Sequence, residues 1–134
     1  MKKIVLVLFL FFGLAAVGGY CVLDYLFPKA APIICPDESE LISISVGTNS
    51  DVFSFLDSTE YSEILSNLSA AEPTRTMSVN DYPTVKPYYL ISIQCRNSTY
   101  YYFIYTENNQ TYIEMPYEGI YKADSRIYSI ITNE

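Results

Sequence analysis

The sequence predicts an α+β protein: an N-terminal transmembrane helix, then a small, mostly antiparallel sheet of hairpin, helix and three-stranded meander, closed by a short C-terminal helix. Three observations predict it. An uncharged apolar run extends from Ile4 to Leu23 behind Lys2-Lys3. Tyr61, Ile64, Leu65 and Leu68 fall on one helical stripe. Elsewhere, short stretches rich in Ile, Val and Tyr are separated by Gly, Asn, Asp and Pro, as strands are by turns.

The apolar run comes first. Its twenty residues, at about 1.5 Å each, reach roughly 30 Å, the thickness of a bilayer's hydrocarbon core. Paired lysines ahead of it stay inside, so the rest of the chain is expected outside the cytoplasmic membrane, anchored by a single pass. The alternative is a cleaved secretory signal, with Ile4 to Leu14 as its core, small residues at Ala16-Val17-Gly18 and a secreted product. Continuation of the run to Leu23, with a collar of Tyr25, Phe27 and Lys29 beyond, favours the anchor. Bulky Tyr20 before Cys21 argues against a lipid at that cysteine. The chain thus divides into an anchor or signal (1–27), a proline-rich spacer (28–39) and a domain of about a hundred residues (40–134).

Within the domain, Ile42, Ile44 and Val46 alternate with serines, the period of a half-buried strand. A turn at Gly47 to Asp51 leads to a second strand over Val52 to Phe55. Asp57, Ser58 and Thr59 are helix-capping residues ahead of the Tyr61 stripe, which must stop before Pro73. Thr74 to Val79 reads as an edge strand or extended arm, and Asn80 to Pro83 as a turn. Tyr88 to Cys95, Tyr100 to Thr106 and Thr111 to Met115 form the meander. Tyr89, Ile91, Ile93 and Cys95 share one face of the first of these strands. Pro116 to Gly119 breaks the pattern, with Gly119 free for positive φ, and Ser125 is placed to cap a last helix carrying Ile127, Ile130 and Ile131.

Composition narrows function more than it assigns it. Residues 31–134 hold fourteen acids and five bases, so phosphate backbones are repelled and nucleic acid is a poor partner. The chain has no histidine, which removes the commonest general base and metal ligand. Cysteines at 21, 35 and 95 lack the close pairing of a zinc site, and no glycine-rich phosphate loop is present. No metal or cofactor is expected, and no catalytic residue is assigned. With Cys21 in the membrane, Cys35 and Cys95 are either a disulfide pair in an oxidising compartment or two free thiols, Cys95 packing as a small hydrophobe.

Thr74-Arg75, Ser78-Val79, Asn80-Asp81-Tyr82-Pro83, Tyr112-Ile113-Glu114 and Pro116-Tyr117-Glu118-Gly119-Ile120-Tyr121 together resemble an uncharacterised family of small exported proteins of Firmicutes-type Gram-positive bacteria, the domain of unknown function DUF5301. The resemblance covers the second half of the chain well and the first hairpin only by pattern. Met115 departs from the glutamine that the family pattern leads one to expect, which tells against a polar role there. The resemblance implies the exported address and a single small domain, and brings no activity.

Twelve tyrosines beyond residue 30 are the unusual chemistry. Tyr82, Tyr88, Tyr112 and Tyr117 form the candidate binding surface: Tyr88 or Tyr112 joins one face of the aromatic strand Tyr100 to Tyr105 as a platform for a peptide or glycan, and Tyr82 and Tyr117 stand in turns, where function tends to gather. Against it stands the habit of tyrosine to stabilise sheets, which is the favoured reading. Arg75 is expected in an ion pair with Asp81 or Glu114. The expectation is a non-catalytic binding or interaction module at the bacterial envelope, contacting another envelope protein or cell-wall material. A small exported inhibitor or immunity-type protein is the alternative, and a carboxylate-dependent hydrolase the least supported.

Overall fold

In the computed structural model of the chain, residues 2–48 and 52–132 are described, with side chains described at 7, 8, 10–48 and 54–132. The tip of the first turn, expected over Asn49 to Asp51, lies outside them. α1 (Lys2–Leu26) is one continuous helix. Its described apolar residues are exposed on every side, Leu10, Phe11, Phe12, Leu14 and Val17 among them, so no face of it is buried in the domain. Among the described residues no helix is long and apolar enough to cross a membrane.

All seven strands join one antiparallel sheet: β1 (Leu41–Thr48), β2 (Val52–Phe55), β3 (Glu72–Pro73), β4 (Tyr88–Cys95), β5 (Thr99–Glu107), β6 (Gln110–Met115) and β7 (Gly119–Ala123), in the order β2-β1-β4-β5-β6-β7-β3. The hairpin and the meander are therefore one sheet, because β1 pairs along β4 from Leu41 opposite Cys95 to Thr48 opposite Tyr89. The meander has four strands rather than three: β7, which the Pro116–Gly119 break conceals, pairs with β6 from Thr111 opposite Ala123 to Met115 opposite Gly119.

α2 (Tyr61–Ser69) and α3 (Ser125–Thr132) cover one face. Asp57 and Glu60 form a capping box ahead of α2: the Thr59 amide donates to Asp57, and the Asp57 amide to Glu60. At α3 the acceptor is not Ser125 but Asp124, which takes the Arg126 amide at 2.9 Å. Between helices and sheet lies the core, with Ile44, Ile64, Leu68, Ile91, Ile93, Tyr102, Ile104, Ile113 and Ile127 all fully buried. Each such side chain stabilises the fold by about 1.5–3 kcal/mol relative to exposure. The alternation expected in β1 is shifted by an irregularity between Leu41 and Ser43. Leu41 packs on the core and Ile42 is exposed, where strict period two would place Ile42 inside.

The proline-rich segment forms neither helix nor strand over residues 28–37, and it lies against the domain. Ile33 is buried in the core cluster, the Tyr121 hydroxyl donates to the Ala31 carbonyl at 2.9 Å, and the Ala30 amide donates to Thr74 at 3.2 Å. Cys35 and Cys95 are free thiols in this structure. The Cys35 thiol is directed to the Leu65 carbonyl at 3.5 Å, and burial pushes its pKa up to about 11. Cys95 is buried in the core as a small hydrophobe, its thiol likewise raised mainly by burial.

Candidate functional site

Side chains alternate across each strand, so the sheet has a second face. Tyr88 and Leu90 on β4, Tyr101, Phe103 and Tyr105 on β5, and Tyr112 and Glu114 on β6 belong to it, opposite the face of Ile91, Tyr102 and Ile113. Much of this outer face is closed. Pro83 is buried, and buried Ser78 donates its hydroxyl to Glu114, itself only 5% exposed, at 2.6 Å. The segment from Ser78 to Pro87, ending in a cis Lys86–Pro87 bond, thereby crosses the sheet as a cover. Phe103 and Tyr105 beneath are each 4% exposed.

The four sequence-predicted tyrosines all reach this face but not one continuous platform. Tyr82 and Tyr88 both meet Phe103 edge-on, with ring centroids at 5.7 and 5.6 Å. Tyr112 stacks on Tyr105 at 5.6 Å, and Tyr105 is held protonated first by burial, then by Glu114. Tyr117, in the β6–β7 turn at φ 62°, donates its hydroxyl to Asp81. That bond raises the Tyr117 pKa and joins the turn to the cover. Tyr88 and Tyr112 are thus largely packing residues, while Tyr82 and Tyr117 remain exposed at 58% and 64%.

Between them the sheet leaves a groove of about 360 Å³ lined by Asp81, Tyr82, Leu90, Tyr101, Phe103 and Pro116. Tyr101, Phe103, Leu90 and Pro116 were not among the predicted site residues. The signal for two of them was present: in β5, Tyr101 and Phe103 take the face opposite Tyr102 and Ile104. A second groove, of about 620 Å³, lies beside α2 and the end of β7. Ser66, Asn67, Glu72, Gln110, Lys122 and Arg126 give it charges of both signs and no aromatic wall.

Arg75 pairs with neither Asp81 nor Glu114. Its guanidinium reaches out of the domain to the end of α1, where it pairs with Asp24, donates to the Phe27 carbonyl at 2.6 Å and to Leu23 at 3.4 Å, and lies 5.9 Å from the Tyr20 ring centre. Asp81 and Glu114 are occupied by Tyr117 and Ser78. The physical reason is the carbonyl-rich helix end, where a cation satisfies unpaired acceptors and meets the negative pole of the dipole. Among the described residues no three ligating side chains are grouped to hold a metal.

Residues 29–122 match DUF5301, described as "Domain of unknown function (DUF5300)". The chain belongs to this family. The matched span begins at Lys29, within the segment that packs on the domain, and ends in β7. A solved structure described as "NMR structure of the protein from Ruminococcus gnavus" is similar, with 31% identity and a TM-score of 0.58, over 69% of this chain and 91% of that one. No curated protein matches. This DUF5301 chain therefore shares an α+β fold with that structure.

Proposed function

We propose that this DUF5301 protein is a non-catalytic binding module tethered to the outer face of a bacterial cytoplasmic membrane, taking an envelope protein through its outer-face groove. The observation that carries this reading is the pairing of two surfaces. One is the α1 segment, whose described apolar side chains, Leu10 to Val17 among them, are exposed to solvent, with the domain touching only its end through Arg75. The other is the aromatic groove that the cover leaves open around Tyr82, Tyr101 and Phe103. A lone helix with apolar side chains on every face has no stable place in water, whereas lipid satisfies it. Lys2-Lys3 ahead of the run sets the orientation. The lack of histidine supports binding over turnover.

Arg75 supports the tether over the cleaved signal. Cleavage after Gly18 would remove Met1 to Gly18 and leave the Arg75 contacts on a helical stub. Intact-mass measurement of the protein extracted from the membrane fraction of its source cells separates the two. The full N-terminal segment, resistant to alkaline carbonate and with the domain open to external protease, is the expected result. A product starting near Gly19 in the medium would contradict the tether.

The surplus of acids favours a second reading within binding, a small inhibitor or immunity-type protein that masks a basic exported partner. The two readings share the surface and differ in whether the partner loses activity on capture.

A further inference from the structure

The groove over Phe103 has the chemistry of a cation site. Two exposed rings, Tyr82 and Tyr101, line it above the nearly buried Phe103, and Asp81 lines it with them. Tyr82 and Phe103 meet at 73°, as wall and floor rather than as a flat stack. Aromatic faces attract a cation within about 6 Å, and arginine or lysine is the usual occupant. Asp81 adds a carboxylate. One of its oxygens accepts the Tyr117 hydroxyl, and among the described residues no lysine or arginine pairs with it. Arg75 is engaged with Asp24 and Arg126 with Asp124.

We propose that this groove receives a basic side chain, of arginine or lysine, from a partner protein. The proposal rests on the binding-module reading and names the chemistry that the module recognises. Charge complementarity selects the occupant: the site is aromatic and acidic, and the fourteen acids beyond residue 30 draw basic surfaces toward the domain. A protein source fits better than a free cation because the groove is an open trough. A small ion there keeps much of its water, whereas a side chain on a partner's surface brings rim contacts with Tyr117 and Pro116 that exclude it.

The test uses the full-length protein, ¹⁵N-labelled, in dodecyl maltoside micelles, whose headgroup carries no cation. The probes are N-acetyl-arginine methylamide, its lysine counterpart and the neutral isostere N-acetyl-citrulline methylamide. Saturable amide shifts at Tyr82, Tyr101 and Phe103 are expected from the two cations and not from citrulline. Tyr101→Ala, which removes an exposed ring, weakens the arginine probe roughly 2–5-fold, and Asp81→Asn weakens it further while reducing its dependence on salt. Equal shifts from citrulline would overturn the proposal, as would cation shifts scattered over the acidic surface and unchanged in both variants. Phosphocholine binding the same amides more tightly than either side-chain probe would also overturn it, in favour of a lipid headgroup. A variant pair that loses the cation yet still cross-links its envelope partner leaves the binding module standing and removes this inference. Cation binding without any envelope partner does the reverse.

Discussion

Gly119 is needed for space, not for an unusual φ. No glycine among the described residues has positive φ, and it is Tyr117, two residues earlier, that turns left-handed. A Cβ on Gly119 would lie 2.5 Å from the Ala30 Cβ, where the N-terminal segment crosses β7. Gly119→Ala should therefore cost about 1–3 kcal/mol in chemical denaturation, and Ala30→Gly should restore much of it in the double variant. Cys35 offers a second test at this scale. Its thiol is raised to about 11 in the folded protein from an ordinary 9.0. The folded chain then holds a proton that the unfolded chain releases between those values, so stability is full below pH 9 and declines as pH rises toward 11. Urea midpoints at pH 8, 9 and 10 should fall in that order, and Cys35→Ser should make the decline shallower, leaving the part that buried Cys95 and the buried tyrosines contribute. The sequence leaves both residues ambiguous: a glycine after Pro-Tyr-Glu looks like turn chemistry, and whether two distant cysteines bond depends on how the chain brings them together.

Elements with a strong period were legible and those marked by an interruption were not. The stripe from Tyr61 to Leu68 forms α2, and the alternation at Tyr88 to Cys95 forms β4 with Ile91, Ile93 and Cys95 inside. β1 was legible as a strand, but the irregularity after Leu41 exchanges Leu41 for Ile42 at the core, which no periodicity reveals. β7 was hidden because its five residues follow directly on a turn that reads as an end. The junction between α1 and the domain is the least legible, since Arg75 lies fifty-one residues from Asp24 in sequence. By gripping the helix end it should hold α1 and the domain as one body. In ¹⁵N relaxation of the protein in bicelles, residues 20–27 and the sheet should report the same tumbling. Arg75→Ala should let the domain tumble faster than α1 while its sheet shifts stay unchanged. Equal tumbling in that variant would mean that the Ala30–Cys35 contacts suffice.

At the scale of the whole molecule, two layers on one sheet explain how so many tyrosines can be both structural and available. Helices close one face around Tyr102 and Tyr121, and the Ser78–Pro87 segment closes most of the other over Phe103 and Tyr105. Candidate residues on the outer face were legible from alternation, but the cover that divides them into buried Tyr105, packed Tyr112 and exposed Tyr82 was not. Only the folded chain shows it, because Ser78 meets Glu114 across thirty-six residues. The central claim is that the remaining opening is where a partner is held at the membrane surface. It is tested most directly by placing the photo-crosslinking residue p-benzoylphenylalanine at Tyr101 in the full-length protein, in its native membrane, with the same residue at exposed Ser129 on α3 as control. The account predicts one recurrent adduct from position 101, identified by mass as an envelope protein joined through a basic segment and absent from position 129. Identical adducts from both positions, or none from position 101 in a correctly anchored protein, would contradict it.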